Sequence, residues 1–294
     1  MTSRGFNVTA FVIGLVGLAA GLVPILLWAP FIDTASFWLP WSRPIYDPSL
    51  PLSVPHFVQS PVLALFLRPF GLLPFPVFAV GWTCLAGVAY WWLLRPLPPA
   101  PRVITFAAAC TFALNGNIEW ALAVAAVIGV RRPSAWLVAA FTKVAPFLGF
   151  GWFVLRRQWR AVAVTAGGGL ALVAASAVLL PGAWPAWIGM LQAFGSEPTF
   201  GGPFVPSVPL LPRLVVAVAL LALGTARRQP AVLALVLLLA QPDLQPWALG
   251  YLAAAPRLLL RDASATARAS SQLSAVAPAR TPIESAFDTP RSSG

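Results

Sequence analysis

The chain has 294 residues, 59% of them hydrophobic and 9% charged, with a formal net charge of +11. A soluble domain carries about 25% charged residues, so this composition excludes an ordinary soluble globular protein and points to several membrane spans. Nucleic-acid binding is excluded by where the charge lies, because the basic residues punctuate apolar runs instead of gathering in one patch.

The first apolar run, about 6–30, is long enough to span and has only Arg4 ahead of it. It reads as a retained first helix, not a signal peptide. Residues 31–48 follow as FIDTASFWLPWSRPIYDP. Asp33 precedes TASFWL and is placed either to cap a short helix, accepting from backbone N–H groups, or to do chemistry; the local sequence favours neither. On such a helix Phe37, Trp38 and Trp41 lie to one side, which would float it at the membrane interface. Tyr46-Asp47-Pro48 has turn character, and His56 is the only histidine in the chain. Residues 61–73 are apolar, bounded by Pro61 and Pro74, and contain Arg68. They fit an interfacial or half-inserted helix better than a span.

The later apolar runs cover about 75–94, 103–130, 133–155, 161–181, 208–225 and 229–256. Their junctions hold Arg95 and Arg102, then Arg131 and Arg132, then Arg156, Arg157 and Arg160, then Arg227 and Arg228, then Arg257 and Arg261. The positive-inside rule places all of these in the cytoplasm, with the N-terminus and the C-terminal tail. Runs 103–130, 133–155 and 229–256 then have both ends on one side, as hairpins of short helices or re-entrant segments do. Each has a polar break to match: Asn115, Gly116, Asn117 and Glu119; Lys143 and Pro146; Gln241, Pro242, Asp243, Gln245 and Pro246. Such breaks are tolerated at membrane depth where they line a wet cavity. The three are therefore expected to face one outward cavity, along with Asp33, Asp47, Arg43, Arg68, Glu197 and Arg213, since intramembrane ionisable groups are costly and usually functional. Gly167, Gly168 and Gly169 read as close helix packing. Cys84 and Cys110 read as small buried hydrophobes. From 262 the chain turns to Ser, Ala, Thr and Pro, so a membrane-embedded domain over 1–261 precedes a disordered tail over 262–294. The preference for Arg over Lys, with abundant Ala, Gly and Pro, points to a G+C-rich bacterial genome.

The order of these segments is distinctive. A first helix is followed by an acid, by the IYDP turn, and by SPVLALFLRPFGLLPFPVFAVGW; then come the Gly116-Asn117 break and AFTKVAPFLGFGWFVLRRQWR. This resembles glycosyltransferase family 87 over roughly residues 10–257, most specifically over 57–82, 115–120 and 131–160, with support from 204–221. It departs from the family at Asn117, where Gln is usual, and at Gln59, where an aromatic is common. The resemblance implies an all-α, polytopic integral membrane helical bundle of the glycosyltransferase C-type, with several short or broken helices and an outer loop carrying interfacial helices. It also implies transfer of a hexose, mannose or another, from a polyprenyl-phosphate donor to a lipid or glycan acceptor among membrane lipids, at the outer face of a bacterial cytoplasmic membrane.

Under that resemblance Asp33 is the general base, taking the acceptor proton as the hydroxyl attacks the anomeric carbon. The leaving phosphate wants cations, and Lys143, Arg213 and Arg68 are the candidates. Lys143 has a competing reading as the partner of Glu119 or Asp243, and Arg213 as a side chain snorkelling to the headgroups. Tyr46, His56, Asn117, Glu119 and Asp243 are left to hold acceptor or sugar. No cofactor is expected. No metal is expected either, and a metal between Asp33 and Asp47 is the disfavoured exception. Two other classes stand beside this one: a multi-span transporter or lipid flippase, against which the lack of an internal repeat argues, and a non-catalytic membrane subunit.

Overall fold

The computed structural model describes residues 3–27, 31–46, 56–143, 145–195, 209–241 and 245–260. Among these residues helix follows helix and no strand forms. Helix α1 (Ser3–Leu27) lies along α5 (Pro99–Asn115), the most extensive contact in the fold. The approach is close because Gly14, Gly17 and Gly21 put backbone where side chains would stand; a Cβ on Gly21 would run into the Thr111 hydroxyl. Helix α2 (Ile32–Phe37) belongs to the loop that follows α1. Helix α3 (Pro61–Leu67) starts where the Ser60 side chain accepts from the Leu63 N–H, with Pro61 at its first position, and runs into a 3-10 turn at Arg68–Leu72.

Two helices, α4 (Phe75–Leu94) and α9 (Trp159–Leu179), are long and apolar enough to cross a membrane. Their exposed residues include Val80, Val88, Val164, Leu170 and Val178, apolar surface of the kind that lipid covers. The remaining elements are shorter: α6 (Glu119–Gly129), a 3-10 turn at Pro133–Ala135, α7 (Trp136–Thr142), a 3-10 stretch at Ala145–Phe150, α8 (Gly151–Leu155), α10 (Ala183–Gly195), α11 (Leu210–Ala226), α12 (Val232–Leu239) and a 3-10 stretch at Pro246–Ala254.

All three apolar runs with polar centres are broken. The breaks fall between α5 and α6, between α7 and Ala145, and between α12 and Pro246. In the second and third the two arms fold back on each other. In the first they part, α5 toward α1 and α4, α6 toward the Pro246–Ala254 stretch. The glycine stripe of α1 lets α5 pack closely against it.

Several expectations are corrected. Helix α2 does not turn its three aromatics to one exposed side. Its Phe37 is buried and stacks on Trp82 at 5.0 Å, and Trp38 Nε1 donates to the Leu73 carbonyl at 3.0 Å. Of the three aromatics only Trp41 stays exposed. Helix α10 follows the Gly182 turn (φ 80°) on an apolar stretch too short to span a membrane. It is held by indoles: Trp184 Nε1 donates to Ser176 Oγ at 3.1 Å and Trp187 Nε1 to the Val58 carbonyl at 3.0 Å. Cys84 is exposed on α4. Gly169 packs toward Leu137 and Phe141, but Gly167 meets nothing within 4 Å. Asp47, Glu197, Asp243 and the tail 262–294 lie outside the described residues.

Candidate functional site

The site starts at a left-handed residue. Phe31 has φ 68° and donates its N–H to the Leu114 carbonyl at 3.0 Å, tying the loop after α1 to the last turn of α5. Phe31 thereby holds the N-cap position of α2, and Asp33 falls in the first helical turn. The capping expectation for Asp33 is therefore wrong. Its carboxylate Oδ2 accepts instead from Asn115 Nδ2 at 3.3 Å, and its carbonyl accepts from Ser36 Oγ at 2.7 Å. The next residue, Thr34, is fully buried against Gly116, whose φ of 94° ends α5. A Cβ on Gly116 would collide with the Thr34 backbone. The Gly116 carbonyl accepts from Trp82 Nε1 at 2.8 Å. The indole that stacks on Phe37 of α2 thus also holds the first break.

Glu119 opens α6 with its side chain fully buried, and its Oε1 lies 2.5 Å from Lys143 Nζ. Lys143 is extended (φ −138°, ψ 107°) at the end of α7, so the second break delivers its ammonium to the first. Three buried polar atoms around this pair have no hydrogen-bond partner among the described residues: Thr34 Oγ1, Asn117 Nδ2 and Glu119 Oε2. Unspent hydrogen-bonding capacity is rare in a packed interior and is what a hydroxyl-rich ligand would use.

Asp33 is half-buried, and its carboxyl is pushed up to about 6. Burial is the main cause and the Glu119 carboxylate adds to it; the Lys143 ammonium and the Asn117 amide act in the opposite sense. The Asn117 amide approaches this carboxylate without closing a hydrogen bond of good geometry.

The third break joins from the far side of Glu119. A Cβ on Gly250 would stand 2.5 Å from the Tyr90 hydroxyl and 3.4 Å from Glu119 Cβ. Gln241 Nε2 donates to the Tyr251 hydroxyl, and both residues are buried. Arg213, 6% exposed, donates from Nη1 to the Gln241 carbonyl at 2.6 Å and to the Leu239 carbonyl at 3.5 Å. It does not snorkel outward; it caps the end of α12.

The structure brings Asp33, Asn117, Glu119 and Lys143 together. Lys143 takes the ion pair with Glu119 that was its competing reading. Arg68 donates to the Arg43 and Trp41 carbonyls at 3.1 and 3.3 Å and lies over the Trp41 ring at 4.8 Å, so it staples the loop after α2. Tyr46 is buried and donates its hydroxyl to the Gln59 carbonyl at 2.8 Å, and His56 is half-buried nearby in the chain. Asp243 is outside the described residues. Thr34, Trp82 and the amide of Asn115 as partner of Asp33 were not anticipated. Only Asn115 carried a signal, its place just before a helix-ending glycine.

The glycosyltransferase family 87 model matches residues 57–281. The chain belongs to glycosyltransferase family 87. As a member of that family it is a glycosyltransferase, an enzyme that moves a sugar from a donor to an acceptor. The family 87 match takes in Arg68, Asn117, Glu119, Lys143 and Arg213, and begins after Asp33. Family membership and the two long apolar helices together point to a membrane protein. No curated protein and no solved structure matches the chain.

Proposed function

We propose that this family 87 enzyme transfers a hexose, mannose or another, from a polyprenyl-phosphate donor to a lipid or glycan acceptor at the outer face of the bacterial cytoplasmic membrane. In this reading it is a multi-pass bundle with its N-terminus and C-terminal tail in the cytoplasm. The observation that carries the proposal is the Asp33 carboxylate, half-buried against Asn115 and raised to about 6, beside the Lys143–Glu119 pair. A base with a pKa near the working pH is ionised when needed and still accepts a proton readily.

The acceptor hydroxyl gives its proton to Asp33 as its oxygen bonds to the anomeric carbon. The bond from that carbon to the phosphate oxygen breaks, and the electron pair leaves with the polyprenyl phosphate. Lys143 is the cation we assign to that developing charge, because it already stands in the same cluster as Asp33. The unpaired Glu119 Oε2 and Asn117 Nδ2 are left for sugar hydroxyls. Arg213 and Arg68 spend donors on backbone carbonyls, so we assign them to holding the broken helix and the loop.

The test is purified protein given polyprenyl-phosphate mannose and a membrane-lipid extract, with glycosylated product measured. Asp33→Asn keeps the shape and removes the base. Equal product from that variant discards Asp33 as base. A donor left unconsumed with every acceptor discards the transfer reading in favour of transport.

A further inference from the structure

A second pocket, open and with a mostly apolar lining rimmed by arginines, lies apart from the residues of the glycosyl-transfer site. Between the Pro133–Ala135 turn and the start of α9 is a cavity of about 640 Å³, lined by Ser134, Arg157, Gln158, Arg160, Val164 and Thr165 among others. Arg157 is placed there by a left-handed turn (φ 56°) between α8 and α9. Neither Arg157 nor Arg160 has an acidic partner among the described residues, where the Lys143–Glu119 pair is the sole salt bridge. Thr165 forms part of the cavity wall. It is 2% exposed, and its Oγ1 has no hydrogen-bond partner among the described residues.

The cavity continues into apolar surface. Val164, Gly167, Ala171, Ala174 and Val178 recur at alternating three- and four-residue spacing, so they share one face of α9, and all are exposed. The absence of any neighbour within 4 Å of Gly167 makes that face shallow at its centre. Trp159, 60% exposed, stands at the mouth. A cationic mouth continuous with an open apolar helix face complements an amphiphile with an anionic head. A free phosphate would leave the apolar wall unused.

We propose that this pocket binds the headgroup of an anionic phospholipid, its phosphate diester between Arg157 and Arg160, with acyl chains along the Val164–Val178 face of α9. The site stands independently of the transfer reaction.

The test titrates the full-length protein in detergent with dioctanoyl phosphatidylglycerol, dioctanoyl phosphatidylcholine and inorganic phosphate, counting bound ligand by native mass spectrometry. Phosphatidylglycerol is expected to bind about tenfold more tightly than either of the others. The double variant Arg157→Gln, Arg160→Gln loses that preference. Arg157→Gln and Arg160→Gln made singly each weaken phosphatidylglycerol about threefold with helix content unchanged by circular dichroism, and they carry the test if the double variant misfolds. Arg227→Gln with Arg228→Gln removes the same charge at another junction and leaves binding intact. An equal loss in this second double variant would overturn the site, since general charge attraction would then explain the binding. Inorganic phosphate binding as tightly as the lipid would overturn the lipid in favour of a soluble anion.

Discussion

Lys143 Nζ stands 2.5 Å from Glu119 Oε1, and this single ion pair joins the breaks of two separate apolar runs. The partners are unequal. Glu119 is fully buried, while the Lys143 side chain is 24% exposed. Removing the lysine strands a buried charge, whereas removing the acid leaves an ammonium that can still reach water. Lys143→Met should therefore cost about 3–5 kcal/mol of stability and Glu119→Gln clearly less. The double variant should recover part of the loss. Thermal unfolding of the three proteins in detergent measures this, and a Lys143→Met protein as stable as the parent would remove the ionised pair.

Asp33 gives a pH dependence with a definite sign. As a base it must be ionised, so kcat/KM should fall as pH drops through about 6. Asp33→Asn should lower kcat by about 100- to 10,000-fold and abolish that acid limb.

The same shift makes a stability prediction. The folded carboxyl, raised from 3.8 to about 6, holds its proton more tightly than the unfolded one. Between those values the folded state binds more protons, so the Asp33 contribution falls as pH rises and is lowest above 6. The ionised carboxylate costs at most about 3 kcal/mol, reduced by the solvent that its half-buried side chain still meets. Asp33→Asn should thus equal or exceed the parent in melting temperature above pH 6, and the gap should close toward pH 4. A variant less stable than the parent at pH 7.5 contradicts the burial cost.

Gly116 is required twice, by its φ of 94° and by its contact with Thr34. Gly116→Ala should cost about 2 kcal/mol or more, because the strained backbone and the collision add. The collision also pushes α2, and Asp33 with it, away from Asn115. Activity should fall further than the melting temperature alone would explain, as assayed at a temperature where the variant stays folded.

Arg213 separates scaffold from substrate contact. Loss of its bonds to the Gln241 and Leu239 carbonyls in Arg213→Gln should cost about 1.5–3 kcal/mol, with donor KM little changed. A raised KM with unaltered stability would return this residue to the donor phosphate.

Much of the fold was legible along the chain. The α4 run was read to its ends, α3 was expected as a short helix between two prolines, and the three breaks fell where polar and helix-breaking residues interrupt apolar runs. Helix α10 escaped because its apolar stretch is too short to span, and the indole bonds that dock it reach Ser176 and Val58, the second 129 residues away. In the site, Asp33, Glu119 and Lys143 were visible as rare ionisable groups, but not the geometry that joins them. Phe37 looked like an interfacial anchor because an aromatic at a loop is equally suited to lipid and to a stack on Trp82.

An apolar helical chain, the places where its helices must break, and the small set of charged groups at those breaks can all be read residue by residue. They follow from composition and from local backbone chemistry, which neighbours in the chain suffice to set. Long-range packing selects the partners: Asp33 faces Asn115 and not its own helix, Lys143 pairs with Glu119, and Arg213 turns inward to cap α12. Each of those choices is a competition among partners distant in sequence, settled by which backbones pack closely enough to meet.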